Sequence, residues 1–234
     1  MYHLPPHAFA CLTGQCCAFL DLRRDSYHSV PRQVMEELAP WIHNSPIPSA
    51  APPPGAQPSA AAVSLACELS GADLLREGPP TLSDVARVTL AAQSDLESME
   101  VAIPNTGHSG SLCAAAAALL YAHWALRALP IFQIIDLVRR RKRLHSSVAR
   151  LEMDRVVHLT KIFAKFRPHF PRNYLCLFDS LALILFLSRY NLHPDWVFGV
   201  QEDPFSAHCW VQADTLVLND HFDNVASYTP IMTV

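Results

Sequence analysis

A chain of 234 residues can hold one large or two small domains, and with 50% hydrophobic and only 17% charged residues it can bury a sizeable core. A net charge of −3 argues against a general nucleic-acid binder, which needs a strongly basic face. The seven cysteines are irregularly spaced and odd in number, with no Cys-x-x-Cys pair, which argues against a disulfide scaffold and points to a reducing, cytoplasmic setting.

In chain order, Pro5, Pro6 and His7 interrupt the start, so no secretion signal is expected there. Residues 8–12, 17–22 and 26–30 read as a small antiparallel meander with turns at Thr13-Gly14-Gln15 and Arg23-Arg24-Asp25. Cys11, Cys16 and Cys17 cluster but lack the partners of a structural zinc site, and no metal is expected. Pro31 can open a helix in which Val34, Met35, Leu38 and Trp41 keep helical spacing. Residues 45–60, rich in Pro, Ala and Ser, read as a flexible or disordered insertion, and 63–76 as a second helix before Gly78-Pro79-Pro80. Residues 87–107 read as a linker.

Helical segments are expected at 111–129, 131–143 and 148–166. The apolar stretch 112–135 contains His123, Arg127 and Pro130, so it reads as a buried helix broken at Pro130 rather than a membrane span. The run Arg139-Arg140-Arg141-Lys142-Arg143 reads as a solvated helix face. Pro168, Pro171 and Asn173 then break the chain, and a buried helix starts close to Cys176. A thiol there meets unsatisfied N–H groups and the positive end of the helix dipole, which favour the thiolate.

His208 and Asp220 lie in two later apolar runs that read as strands, separated by Ala213-Asp214-Thr215. A hairpin centred on Asp214 would oppose His208 and Asp220, with Cβ atoms about 5 Å apart. Cys176, His208 and Asp220 thus form a candidate nucleophile, base and orienting acid. Trp210 shares a face with His208 and is expected to pack beside it at the substrate site; Cys209 alternates to the opposite face. Asp223 is the rival carboxylate, and His193 and His221 read as surface or packing histidines.

Several motifs in order carry a resemblance: Cys176-Leu177-x-x-Ser180-Leu181-Ala182-Leu183, Phe198-Gly199-Val200, Pro204-Phe205-x-Ala207-His208-x-Trp210-Val211, Val217-Leu218-Asn219-Asp220 and Tyr228-Thr229-Pro230-Ile231. Over roughly 60 residues the chain resembles the leader peptidases of lasso-peptide biosynthesis, which carry a transglutaminase-like cysteine-protease domain. The resemblance implies the same three catalytic residues. It also leads one to expect a small residue such as alanine where Cys209 stands.

The first 86 residues carry Phe19-Leu20-Asp21-Leu22-Arg23-Arg24-Asp25-x-Tyr27, which resembles the second and third strands of a winged-helix precursor-recognition domain. Relatives of that domain bind the leader by adding it as a strand to an exposed sheet edge. The resemblance therefore places Phe19, Leu20, Asp21, Leu22 and Tyr27 at the leader site. The whole reads as α+β: a small winged-helix-like recognition domain at 1–86, a linker at 87–107, and a papain-like, transglutaminase-like domain at 108–234 with helices followed by antiparallel strands.

The function so implied is cleavage of a ribosomally made precursor between leader and core. A partner cyclase similar to asparagine synthetases would close the lactam and use the ATP. No cofactor is expected on this chain, which lacks a Gly-Lys-Ser/Thr phosphate loop. Two other readings use the same residues: a transamidase with an amine as acceptor, and a non-catalytic module that binds a leader peptide.

Overall fold

A computed structural model describes residues 1–79, 91–96, 109–145 and 152–234. The described chain forms two compact units. One gathers the described part of Met1–Arg87 with Val200–Ser206 and Thr229–Met232; the other holds the described part of Val88–Gly199, Ala207–Tyr228 and Thr233–Val234.

In the first unit, β1 (Tyr2–His3) is followed by a three-stranded antiparallel meander of β2 (Ala8–Leu12), β3 (Cys16–Asp21) and β4 (Ser26–Pro31), in the order β2-β3-β4. Helix α1 (Arg32–Leu38) runs into a 3-10 turn (Ala39–Trp41), as the proline-led pattern predicts. Helix α2 spans Ala60–Gly71, and β5 (Arg76–Glu77) pairs with β1. Phe19, Met35, Leu38, Leu69, Leu74 and Leu75 close the core.

Helix α2 starts earlier than its periodicity predicts because the Ser59 hydroxyl caps it, accepting the Ala62 N–H at 3.0 Å. It also ends earlier. Asp73 takes a left-handed conformation (φ 60°), and the Leu74 N–H turns back to the Leu69 carbonyl at 2.8 Å. The stretch 45–59 has no regular secondary structure, yet Ile47 from it is buried in the core.

The second unit opens with β6 (Ser94–Asp95), a two-residue strand inside the expected linker and too short to leave a periodic signal. Of the expected linker only residues 91–96 are described, and the remainder lies outside the described residues. Helices α3 (Ser109–Ala128), α4 (Ile131–His145) and α5 (Met153–Phe166) follow, with the break at Pro130 where the sequence places it. A 3-10 turn (Arg167–His169) and an irregular loop lead into α6 (Cys176–Ser188). Along the chain there follow β7 (Asp195–Gln201), β8 (Ser206–Ala213), β9 (Leu216–Val217), a single helical turn α7 (Phe222–Val225), and β10 (Thr229–Thr233), of which Thr229–Met232 counts with the first unit.

The sheet has the order β10-β7-β8-β9-β6; β8 and β9 are antiparallel, and β6 joins parallel to β9. Helix α6 is apolar all round and buried from Ser180 to Leu187, as an interior helix must be. It packs on α3 and α5, with the Phe163 and Phe186 rings 5.3 Å apart.

The basic run is not a plain solvated face. Arg143 is exposed and Arg140 pairs with Asp136 at 2.8 Å, but Lys142 is nearly buried. Its ammonium donates to Asp195 at 2.5 Å and to the Val234 carbonyl at 3.0 Å. Among the described residues, no helix is long and apolar enough to cross a membrane.

Candidate active site

The site is built where the first turn of α6 meets β8. Cys176 is the first residue of α6 and is half-buried. Leu175 precedes it in extended conformation (φ −139°, ψ 124°). The Asp179 carboxylate accepts the Leu175 N–H at 2.7 Å, capping the helix from inside. Cys176 therefore sits among the free N–H groups of a fixed helix start.

His208 Nε2 and Asp220 Oδ2 lie 2.5 Å apart, both side chains about one-seventh exposed. With Nε2 so engaged, Nδ1 is the ring nitrogen left for Cys176. The other Asp220 oxygen accepts the His221 N–H at 2.8 Å and the Asn224 amide at 3.0 Å. His221 and Asp223 are exposed, and Asp220, not Asp223, is the carboxylate on the imidazole.

The hairpin that brings Asp220 in differs from the expected one. The turn has two residues, Asp214 and Thr215, with Asp214 left-handed (φ 52°), and the ladder pairs Gln212 with Val217 and Ala213 with Leu216. That register is one residue away from the one opposing His208 and Asp220. Strand β9 stops at Val217, and the Asn219 side chain takes the place of a ladder carbonyl, accepting the Val211 N–H at 2.7 Å. The chain bends there, so Asp220 reaches His208 from a bend rather than across a ladder.

The same Asn219 amide donates to Ser180 Oγ at 2.9 Å, and Ser180 donates to the Cys209 carbonyl at 3.2 Å. One buried hydroxyl on α6 thus ties together the helix of Cys176, the strand of His208 and the segment of Asp220. Both residues stand in the motifs that carry the resemblance, but no local pattern announces the link itself, because the partners are 29 and 39 residues apart.

Cys209 is also closer to the chemistry than strand alternation implies. Its thiol and its backbone N–H both bond to the Cys176 sulfur, because the first turns of α6 lie against β8 at this point. Hydrogen bonds from Cys209 and from His208 hold the Cys176 thiol down to about 4, against the opposing effect of burial. Burial by itself would lower His208, but its bonds to Asp220 and Cys176 outweigh that and raise it to about 9. Asp220 is held below the usual carboxylate range despite burial, by His208, Asn224 and the His221 N–H. Cys209, bonded to the Cys176 thiolate and buried, is pushed far up and stays a neutral donor. Both shifts, the thiol down and the imidazole up, favour a thiolate–imidazolium pair.

Trp210 is buried, with its ring stacked on His208 at 6.1 Å and its N–H donated to Gln212 at 2.9 Å. It supports the imidazole from behind and offers substrate no open surface. Tyr228 covers His208 at 5.0 Å. A Cβ at Gly199 would stand 2.9 Å from the Trp210 ring and 3.0 Å from Tyr228. Gly199→Ala is therefore expected to cost about 1–3 kcal/mol of stability and to disturb the imidazole it indirectly seats. Thermal unfolding and the rate of Cys176 alkylation measure the two effects.

The structure places the expected leader-binding residues differently from the sequence reading. Phe19, Leu20, Asp21 and Leu22 are buried, and β3 is the central strand, paired on both sides, so no further strand can add there. Asp21 is spent on the β3–β4 turn: it accepts the Arg23 and Arg24 N–H groups at 2.9 and 3.2 Å and pairs with the Arg24 guanidinium at 2.9 Å. Of this group only Tyr27 lies on an outer strand, β4, where it is half-buried with its ring against Phe205 at 5.6 Å. Among the described residues, no group of three or more His, Cys, Asp or Glu side chains could hold a metal ion.

A thiol at a helix start beside an imidazole on the adjoining sheet is an arrangement found in cysteine-based enzymes. The sequence profile of the Transglutaminase-like superfamily matches residues 116–233, just over half of the chain, and the protein belongs to that superfamily. No curated protein and no solved structure gives a significant match.

Proposed function

We propose that the protein is a cysteine peptidase that separates the leader of a ribosomally made lasso-peptide precursor from its core. The observation that carries the peptidase reading is the preformed Cys176–His208–Asp220 constellation, with an acidic thiol bonded to an imidazole held by a carboxylate at 2.5 Å. The Cys176 thiolate attacks the scissile carbonyl. The His208 imidazolium then gives its proton to the leaving amine, and neutral His208 draws one from the water that releases the acyl-enzyme. The Cys176 backbone N–H, first in α6 and without an intrahelical acceptor, is the candidate donor to the oxyanion.

The lasso-peptide assignment rests on the motif resemblance. So does leader capture, which we assign to the outer strand β4 beside α1, because the edge of a sheet has free N–H and C=O groups and its centre has none. A lactam-forming cyclase similar to asparagine synthetases is the partner this reading implies, with ATP used by that partner.

The test is incubation of the protein with a synthetic precursor, with and without the cyclase, read by mass spectrometry. Release of an intact leader supports the reading, and the product masses fix the cut. A precursor bound but never cut, with and without the cyclase, contradicts it. The resting ion pair also sets the pH dependence. Activity needs Cys176 deprotonated and His208 protonated, so kcat/KM is expected to rise through pH about 4 and fall through pH about 9. A profile with its acid limb near pH 8 would contradict the ion pair.

A further inference from the structure

We propose that Arg167 is a positioning residue for Cys176: it neutralises Asp179, the carboxylate that caps the Cys176 helix, and fastens to that helix the loop that enters it. The proposal rests on the reading of Cys176 as the nucleophile and deepens it.

Arg167 is 3% exposed, at the start of the 3-10 turn that follows α5. Its Nε donates to Asp179 Oδ1. Nη1 donates to the carbonyls of Arg172 at 3.1 Å and Phe170 at 3.5 Å, and Nη2 to that of Asn173 at 3.0 Å. The Tyr174 ring covers the guanidinium at 4.3 Å. The fork is thus occupied by the loop 170–173 and by the helix cap, so Arg167 acts on the reaction through these groups and not by touching substrate. A lysine could supply the charge but not the fork that gathers three carbonyls and a carboxylate.

The reason such a residue is needed lies in Asp179. A carboxylate in the first turn of a helix is favourable, and here it satisfies the Leu175 N–H at 2.7 Å. Residues three apart on a helix are neighbours, however, so this carboxylate shares a side with Cys176, where an uncompensated negative charge opposes the thiolate. Arg167 removes that conflict: the cap stays and its charge is cancelled. The other groups at Cys176 are His208 and Cys209 on β8, with Asp220 behind His208.

The two partners should therefore act on Cys176 with opposite sign. The experiment measures the rate of iodoacetamide alkylation against pH, with the modified cysteine assigned by peptide mass, in native protein, Arg167→Gln, Asp179→Asn and the double variant. Arg167→Gln leaves Asp179 uncompensated, and the Cys176 midpoint is expected to rise by about one pH unit. Asp179→Asn keeps an acceptor for Leu175 and leaves the guanidinium alone, so the midpoint should fall. The double variant should return close to native. Should Arg167→Gln fail to fold, Asp179→Asn and the double variant still carry the comparison. Variants that unfold at lower temperature but share the native midpoint would show a structural role only and overturn the proposal. A native midpoint in the ordinary thiol range would instead overturn the reading of Cys176 as nucleophile, so the two failures are told apart by the native protein.

Discussion

Replacing Cys176 by alanine is expected to lower precursor cleavage by about a million-fold while leaving the fold and leader binding in place. The side chain is small and half-buried at the start of α6, so its loss opens little space and removes no cap; the cap is supplied by Asp179. What disappears is the sulfur that His208 and Cys209 bond and hold as an anion. Cys209 does not take over, because its thiol is buried in β8, and with Cys176 gone burial still opposes the thiolate there. Single-turnover cleavage checks the rate, and circular dichroism with a leader titration checks that nothing else has changed. A variant that still cuts within tenfold of native would place the nucleophile elsewhere.

Asp220→Asn is the second large effect, with an expected loss of about 10⁴-fold in kcat. The asparagine oxygen can still accept the His221 N–H and the Asn224 amide, so the bend is kept. The imidazole, however, loses the carboxylate that raises it to about 9. With that support gone, burial draws the His208 value down, the alkaline limb of kcat/KM moves to lower pH, and the range in which thiolate and imidazolium coexist narrows from its basic side. A variant with reduced rate but an unmoved alkaline limb would show that Asp220 orients the ring without setting its charge.

Much of the site is legible in the chain because its parts carry local physical signals. Proline and asparagine before an unbroken apolar run place the start of α6 at Cys176, and apolar runs around a polar break place His208 and Asp220 on either side of a turn. The helices from α3 to α5 follow from periodicity and Pro130. The residues that join these parts give no such signal. Ser180 and Asn219 stand in the resembling motifs, but their shared link spans 29 and 39 residues, and Arg167 and Asp179 look like ordinary polar positions until an irregular loop folds back to join them.

The hairpin shows the limit most clearly. The pairing of His208 with Asp220 is anticipated, but through a register that the structure does not have; an asparagine side chain replacing a backbone carbonyl makes the connection instead. The first unit teaches a similar lesson. Its order of strands and helices is visible, but the motif Phe19 to Leu22 is a core strand, and an apolar alternating run does not say whether a strand is central or at an edge.

The most direct test of Cys176 as a hydrolytic nucleophile is precursor cleavage in heavy-oxygen water, read by mass spectrometry with native and Cys176→Ala protein side by side. Hydrolysis through an acyl-enzyme puts one heavy oxygen on the new carboxylate of the leader with the native protein and gives no product with the variant. Equal cleavage by the two proteins, or a native product that carries an amine instead of the labelled oxygen, would contradict it.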